Sequence, residues 1–264
     1  MKHMTNLLLF ALFAYAGLCV LLFLLQERLL FFPRSPDPQA TMRLQPWQRL
    51  VTTREATLSG WLIPAREPGG APLVFYFGGN AEDISTTASE VSARADANFI
   101  FMNYRGSGDS EGKPSQAALL ADAVSIYDDM VASAPHNGKR IVFGRSLGSG
   151  VGIYLASRRK IDAAVLVTPF DSVRNVARRH FPWLPVSLLL RHPFDSLSLA
   201  PKLKIPALFL LAERDMIVPP VHSRTLAGRW GGSTRVVMIK GAGHNTIGWE
   251  TEFWEPIREL LKSI

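Results

Sequence analysis

The amino-acid sequence predicts an α/β architecture: a mostly parallel sheet with helices on both faces and a short cap insertion, preceded by one N-terminal transmembrane helix. Three observations lead there. No Asp, Glu, Lys or Arg occurs between Lys2 and Glu27. Beyond Trp47, nearly continuous apolar runs of strand length alternate with segments of helix length, as in a sheet buried on both faces. With 264 residues, 20 Gly and 18 Pro, the chain suits one large globular domain and excludes a disordered or collagen-like polymer.

The first element is the charge-free run. Thr5 to Leu25 is 21 residues, about 31 Å as a helix, which matches the hydrocarbon core of a bilayer. A cleaved signal peptide is the alternative, but the run is long for one and ends Leu24-Leu25-Gln26 without a small-x-small site. Lys2 lies on one side and Arg28, Arg34 and Arg43 on the other. The positive-inside rule therefore puts the C-terminal domain in the cytoplasm by a margin of one or two charges, and the anchor in the inner membrane if the cell is bacterial. Cys19, the single cysteine, lies inside the run, so no intramolecular disulfide and no cysteine zinc site can form.

Pro33, Pro36 and Pro38 forbid continuation of the helix, because proline lacks an N–H and clashes with the preceding turn. The division that follows is an anchor at 1–26, a stiff linker at 27–46 and one domain at 47–264. Within the domain the expected strands are Thr57–Ile63, Pro72–Phe77, Asn98–Tyr104, Arg140–Gly144, Ala163–Thr168, Pro206–Ala212 and Arg235–Lys240. Expected helices are Ser85–Ala95, Ser115–Ala134, Leu147–Arg158, Pro220–Trp230 and Glu252–Lys262. Residues 171–201 break the alternation with an aromatic, proline-rich and basic stretch, read either as a cap over a site or as a longer surface helix and loop.

In such sheets chemistry sits in the loops after the strands. Gly144-Arg145-Ser146-Leu147-Gly148 has the G-x-S-x-G form at a strand-to-helix turn, which lifts a serine clear of the backbone. Gly150 and Gly152 cost helix propensity and are read as allowing close packing on the sheet. A serine hydroxyl needs a base, and the base needs orienting. Of six histidines, only His244 immediately follows a strand; His136, His180, His192 and His222 fall in a loop, the cap or a helix. Asp215 ends another strand between serine and histidine and is favoured as the acid, with Glu213 and Asp171 as alternatives. Phe77-Gly78-Gly79-Asn80 runs from a strand into a glycine turn, so the main-chain N–H groups of Asn80 and Leu147 are candidate donors to an oxyanion.

With these residues in view, the chain resembles α/β-hydrolase-domain proteins of the single-pass, membrane-anchored type, close to the acyl-protein thioesterase (depalmitoylase) branch. The likeness covers roughly residues 50–264. It rests on 78–81, 103–112, 144–148, Asp215-Met216-Ile217-Val218-Pro219 and Gly243-His244-Asn245. It implies a Ser146, Asp215, His244 triad with backbone donors at Asn80 and Leu147. Members of that branch usually carry His-Gly-Asn where Gly78-Gly79-Asn80 stands here, which keeps the main-chain donors and removes any role of the histidine side chain.

The functional expectation is a membrane-anchored serine hydrolase cleaving an acyl ester or thioester on a small molecule, lipid or acyl-protein. The rivals are a lysophospholipase or peptidase on the same fold, and a non-catalytic anchored binding module. No metal or organic cofactor is expected, since the chain has no phosphate loop, no H-E-x-x-H and no dinucleotide fingerprint. Its net charge of +7 comes without any nucleic-acid motif. Beside a bilayer, the basic excess points to a membrane lipid surface and away from nucleic acid as a partner.

Overall fold

The structure is a computed structural model that describes residues 2–264. Its elements in chain order are α1 (Lys2–Leu30), α2 (Pro38–Leu44), β1 (Gln48–Thr52), β2 (Thr57–Ile63), β3 (Leu73–Phe77), α3 (Ile84–Arg94), β4 (Asn98–Met102), α4 (Gln116–Ser133), β5 (Arg140–Arg145), α5 (Leu147–Arg158), β6 (Ala163–Val167), α6 (Val173–His180), α7 (Val186–Leu189), β7 (Ala207–Ala212), α8 (Pro220–Gly228), β8 (Thr234–Ile239) and α9 (Thr251–Ser263). The strands form one eight-stranded sheet in the order β1-β2-β4-β3-β5-β6-β7-β8. Six strands run parallel; β2 is antiparallel to both β1 and β4.

The apolar runs become central strands because alternate side chains enter two separate cores. Leu73, Phe75 and Phe77 point to the side covered by α4, α5 and α8. Val74 and Tyr76 point to the side covered by α3 and α9, with Leu44 of α2. Phe75, Phe99, Phe101 and Phe209 are fully buried, each contributing about 1.5–3 kcal/mol of apolar burial. Helix starts follow capping chemistry: Ser115 Oγ accepts from Ala118 N–H, and Ser172 Oγ accepts from Asn175 N–H.

The edge strand β1 is absent from the sequence expectation. Only Val51 in it is buried, so it carries no apolar signature; it exists because Thr52 and Thr57 close a hairpin onto β2. Of the two α5 glycines read as packing on the sheet, one differs from expectation. A β-carbon on Gly152 would meet Val142 of the sheet at 3.4 Å, as expected, but one on Gly150 would meet the Phe170 ring at 3.0 Å.

The stretch after α1 is packed against the sheet domain. Phe31 is buried in the core, Phe32 N–H donates to Asn80 Oδ1 (3.2 Å), and Arg34 Nε donates to Ala81 O (3.2 Å). Asp37 caps α2 by accepting from Ala40 N–H at 2.7 Å. Residues 173–189 form the two short helices α6 and α7 after β6, beside α1.

The loop after β4 is held by a buried bidentate ion pair. Arg105 Nε and Nη2 each lie 2.7 Å from an Asp122 carboxylate oxygen, and Nη1 lies 2.7 Å from Glu55 Oε2 in the β1–β2 turn. The Asp122 hydrogen bonds hold the guanidinium above its ordinary pKa against the opposing effect of desolvation. Removing one partner of a buried pair strands the other charge. Asp122→Ala should therefore lower stability by about 3–5 kcal/mol, read as a shift of the urea midpoint; an unchanged midpoint would mean that the pair does not hold this loop.

Candidate active site

Ser146 sits between β5 and α5 with φ 49° and ψ −116°, a conformation that a non-glycine residue adopts only when its surroundings impose it. Its N–H donates to Val167 O on β6 at 2.9 Å. The flanking glycines are required by close backbone crossing. A β-carbon on Gly148 would lie 1.9 Å from Phe77 O, and one on Gly144 would lie 2.6 Å from Gly148 O. The turn thus presses against the end of β3, where the glycine turn 78–79 begins.

His244 reaches the same place from the loop after β8. Ser146 Oγ–H donates to its Nε2 at 2.9 Å, and its Nδ1–H donates to Asp215 Oδ2 at 2.7 Å. Asp215 lies in the loop three residues after β7 and is buried; its other oxygen accepts from the N–H groups of Ile217 (2.9 Å) and Val218 (2.7 Å). These bonds fix the carboxylate, which fixes the imidazole tautomer and leaves Nε2 free to take a proton from serine. Such a set is able to generate a nucleophilic alkoxide and return the proton to a leaving group.

The two alternative acids are engaged elsewhere. Glu213 Oε2 accepts from Gly241 N–H at 2.9 Å. Asp171 pairs with His222 Nδ1 at 2.9 Å and accepts from Asn175 Nδ2 at 2.9 Å. Asn80 and Leu147 line one cavity, together with Gly79 and with Phe31 and Phe32 from beyond α1. A β-carbon on Gly79 would stand 3.7 Å from Ser146 Cβ, so the glycine turn is against the serine.

Sequence reasoning missed what holds that turn. Glu82, with a buried side chain, accepts from Gly79 N–H (2.5 Å), from Tyr76 Oη (2.7 Å) and from Thr87 Oγ1 (2.7 Å). Its Oε2 also lies 3.6 Å from Nη1 of Arg145, whose Nη2 donates to His244 O at 3.5 Å. Glu82 and Arg145 therefore join the glycine turn, the serine turn and the histidine loop. Burial and then the charge of Glu82 push the Tyr76 hydroxyl well above its ordinary pKa, which keeps it a donor. The only local hint of this network is that Arg145 occupies the first variable position of G-x-S-x-G.

Comparison with known proteins bears on the fold and the family. A family model described as serine aminopeptidase, S33 (Hydrolase_4) matches residues 73–197. An uncharacterized protein of Mycobacterium tuberculosis is 32% identical over 236 residues, which cover 87% of this chain and 84% of that one. The α/β hydrolase domain-containing protein WAV2 of Arabidopsis thaliana is 28% identical over 247 residues, 81% of this chain and 80% of its own. Among solved structures, an esterase of Pyrococcus furiosus superposes with a TM-score of 0.68 at 22% identity, over 88% of this chain and 98% of that chain. The fold is the α/β-hydrolase fold. The chain belongs to the α/β-hydrolase family.

The crossing at Gly148 makes a direct prediction. Gly148→Ala places a methyl group inside the radius of Phe77 O, so the turn must shift at a cost of about 1–3 kcal/mol. Chemical denaturation of the variant checks this; a wild-type midpoint would contradict the tight crossing.

Proposed function

We propose that the protein is a membrane-anchored serine hydrolase that cleaves an acyl ester or thioester through an acyl-enzyme intermediate. The observation that carries this reading is the unbroken Ser146–His244–Asp215 line at 2.9 and 2.7 Å, on a serine held at a strained turn. In this scheme Ser146 Oγ attacks the acyl carbonyl while His244 Nε2 takes its proton. The oxyanion is received by the main-chain N–H groups of Leu147 and Asn80, each worth about 3 kcal/mol by analogy with measured donors. The bond to the alcohol or thiol breaks, and that group leaves with the proton from His244. Water, deprotonated by His244, then attacks the acyl-serine and frees the acid. No step calls for a metal or an organic cofactor.

Among the described residues, α1 is the one helix long and apolar enough to cross a membrane. Its last turns pack on the cap, and an apolar cleft of about 190 Å³ lies between Leu22, Leu29 and Leu30 of α1 and Val173, Leu184 and Leu189 of the cap. Phe31 and Phe32, which follow α1, line the cavity at Asn80 and Leu147, and that apolar wall supports an acyl substrate, on a lipid or an acylated protein. The description of the matching family model supports a second reading, peptide cleavage by the same groups. Parallel rates on acyl-thioester, lysolipid and peptide substrates separate the two; a best rate on peptides would replace the acyl reading.

A fluorophosphonate should label the wild-type protein and leave Ser146→Ala unlabelled. Asp215→Asn should lower kcat by about 10⁴-fold, because the imidazole is then held in the wrong tautomer. Persistent labelling of Ser146→Ala would falsify the assignment of the nucleophile.

A further inference from the structure

The cap is bonded to α1 along much of its length. Tyr15 Oη donates to Trp183 O at 2.7 Å, Gln26 Nε2 donates to Leu189 O at 3.0 Å, and Arg191 N–H donates to Gln26 Oε1 at 2.7 Å. The Arg191 guanidinium lies over the Phe23 ring (5.0 Å) and 3.5 Å from Glu27. From Gln26 down to Tyr15 the helix descends about 16 Å.

That contact conflicts with a cap standing wholly in water. The part of α1 beyond the cap is Lys2–Ala14, about 20 Å of helix, whereas a bilayer core is about 30 Å thick. If Thr5–Leu25 fills the core, the level of Tyr15 is near its mid-plane, and the cap residues bonded there lie within the leaflet.

The cap has the composition that this position requires. Phe181-Pro182-Trp183-Leu184-Pro185-Val186-Ser187-Leu188-Leu189-Leu190 contains no charge, and it is bracketed by Arg178-Arg179-His180 and Arg191-His192. Phe181, Trp183 and Leu188 are 47%, 56% and 84% exposed. An apolar hairpin with basic residues at both ends places its body in hydrocarbon and its ends among anionic headgroups. Backbone groups immersed in lipid must be satisfied internally. Within the run the two prolines have no N–H, and six of the eight N–H groups, those of Phe181, Leu184, Val186, Leu188, Leu189 and Leu190, donate to main-chain carbonyls, leaving those of Trp183 and Ser187 without such a bond. Arg178, in the last turn of α6, reaches Ser187 Oγ and has a stem long enough to snorkel.

We propose that residues 181–190 insert into the same leaflet as α1, so that the domain is embedded through its cap and not held at the end of a tether. The proposal rests on the reading of α1 as a membrane span. It deepens the proposed function: the mouth at Asn80 and Leu147 then stands at headgroup level, beside acyl carbonyls of lipids or of membrane-bound acyl-proteins.

The test uses the full chain in vesicles of phosphatidylcholine and phosphatidylglycerol. In a Cys19→Ser background, Leu188→Cys, Leu12→Cys and Leu50→Cys each carry an environment-sensitive fluorophore. The expected result is that nitroxides on lipid acyl chains quench the probes at 188 and 12, while aqueous iodide quenches only the probe at 50. A probe at 188 open to iodide, with 12 in lipid, overturns the insertion and leaves the anchor standing. A probe at 188 shielded from both quenchers also overturns it, because protein and not lipid then covers the cap. If iodide reaches the probe at 12, the anchor reading itself fails.

Discussion

The structure depends on one close crossing of backbones, where the turn after β5 passes the end of β3. Gly148 approaches Phe77 O so nearly that no side chain fits, and this contact holds Ser146 at φ 49°. The helix that follows packs on β5 and β3, central strands buried on both faces. The Val, Ile and Phe content of β3 to β7 supplies that sheet. The strain at Ser146 is thus sustained by the apolar core beneath it, and it projects the hydroxyl away from its own backbone.

Around that point, charge is used sparingly and at defined distances. Asp215 is buried but accepts two backbone N–H bonds as well as the imidazole, so its lone pairs are occupied by partners that hold it still. Glu82 does the same for the glycine turn, and Arg145 carries its influence to the histidine loop. In the proposed reaction these are positioning groups, each setting the aim of a group that would meet the substrate.

Much of this was legible in the residues. The central strands announced themselves because burial on two faces demands continuous apolar runs, and the helices α3, α4, α5, α8 and α9 because segments of helix length alternate with those runs. Ser146, Asp215 and His244 could be chosen because each follows a strand, where such folds gather chemistry. The edge strand β1 left no trace, since its formation depends on pairing with β2 and not on its own side chains. Glu82 and Gln26 were equally hidden. A lone carboxylate or amide gains meaning only from partners distant in sequence, Arg145 for the first and Leu189 and Arg191 for the second. Gln26 also ties α1 to Leu189 and Arg191, where composition alone suggested a boundary.

The account holds that Ser146 becomes acylated during turnover. Its most direct test is to quench the reaction with an activated ester in the first moments of mixing and to weigh the tryptic peptide Ser146–Arg158. The account predicts a burst of released alcohol matched by an added acyl mass on that peptide, decaying as free acid forms. Steady release of product with the peptide at its unmodified mass, or with the acyl group on another residue, would contradict it.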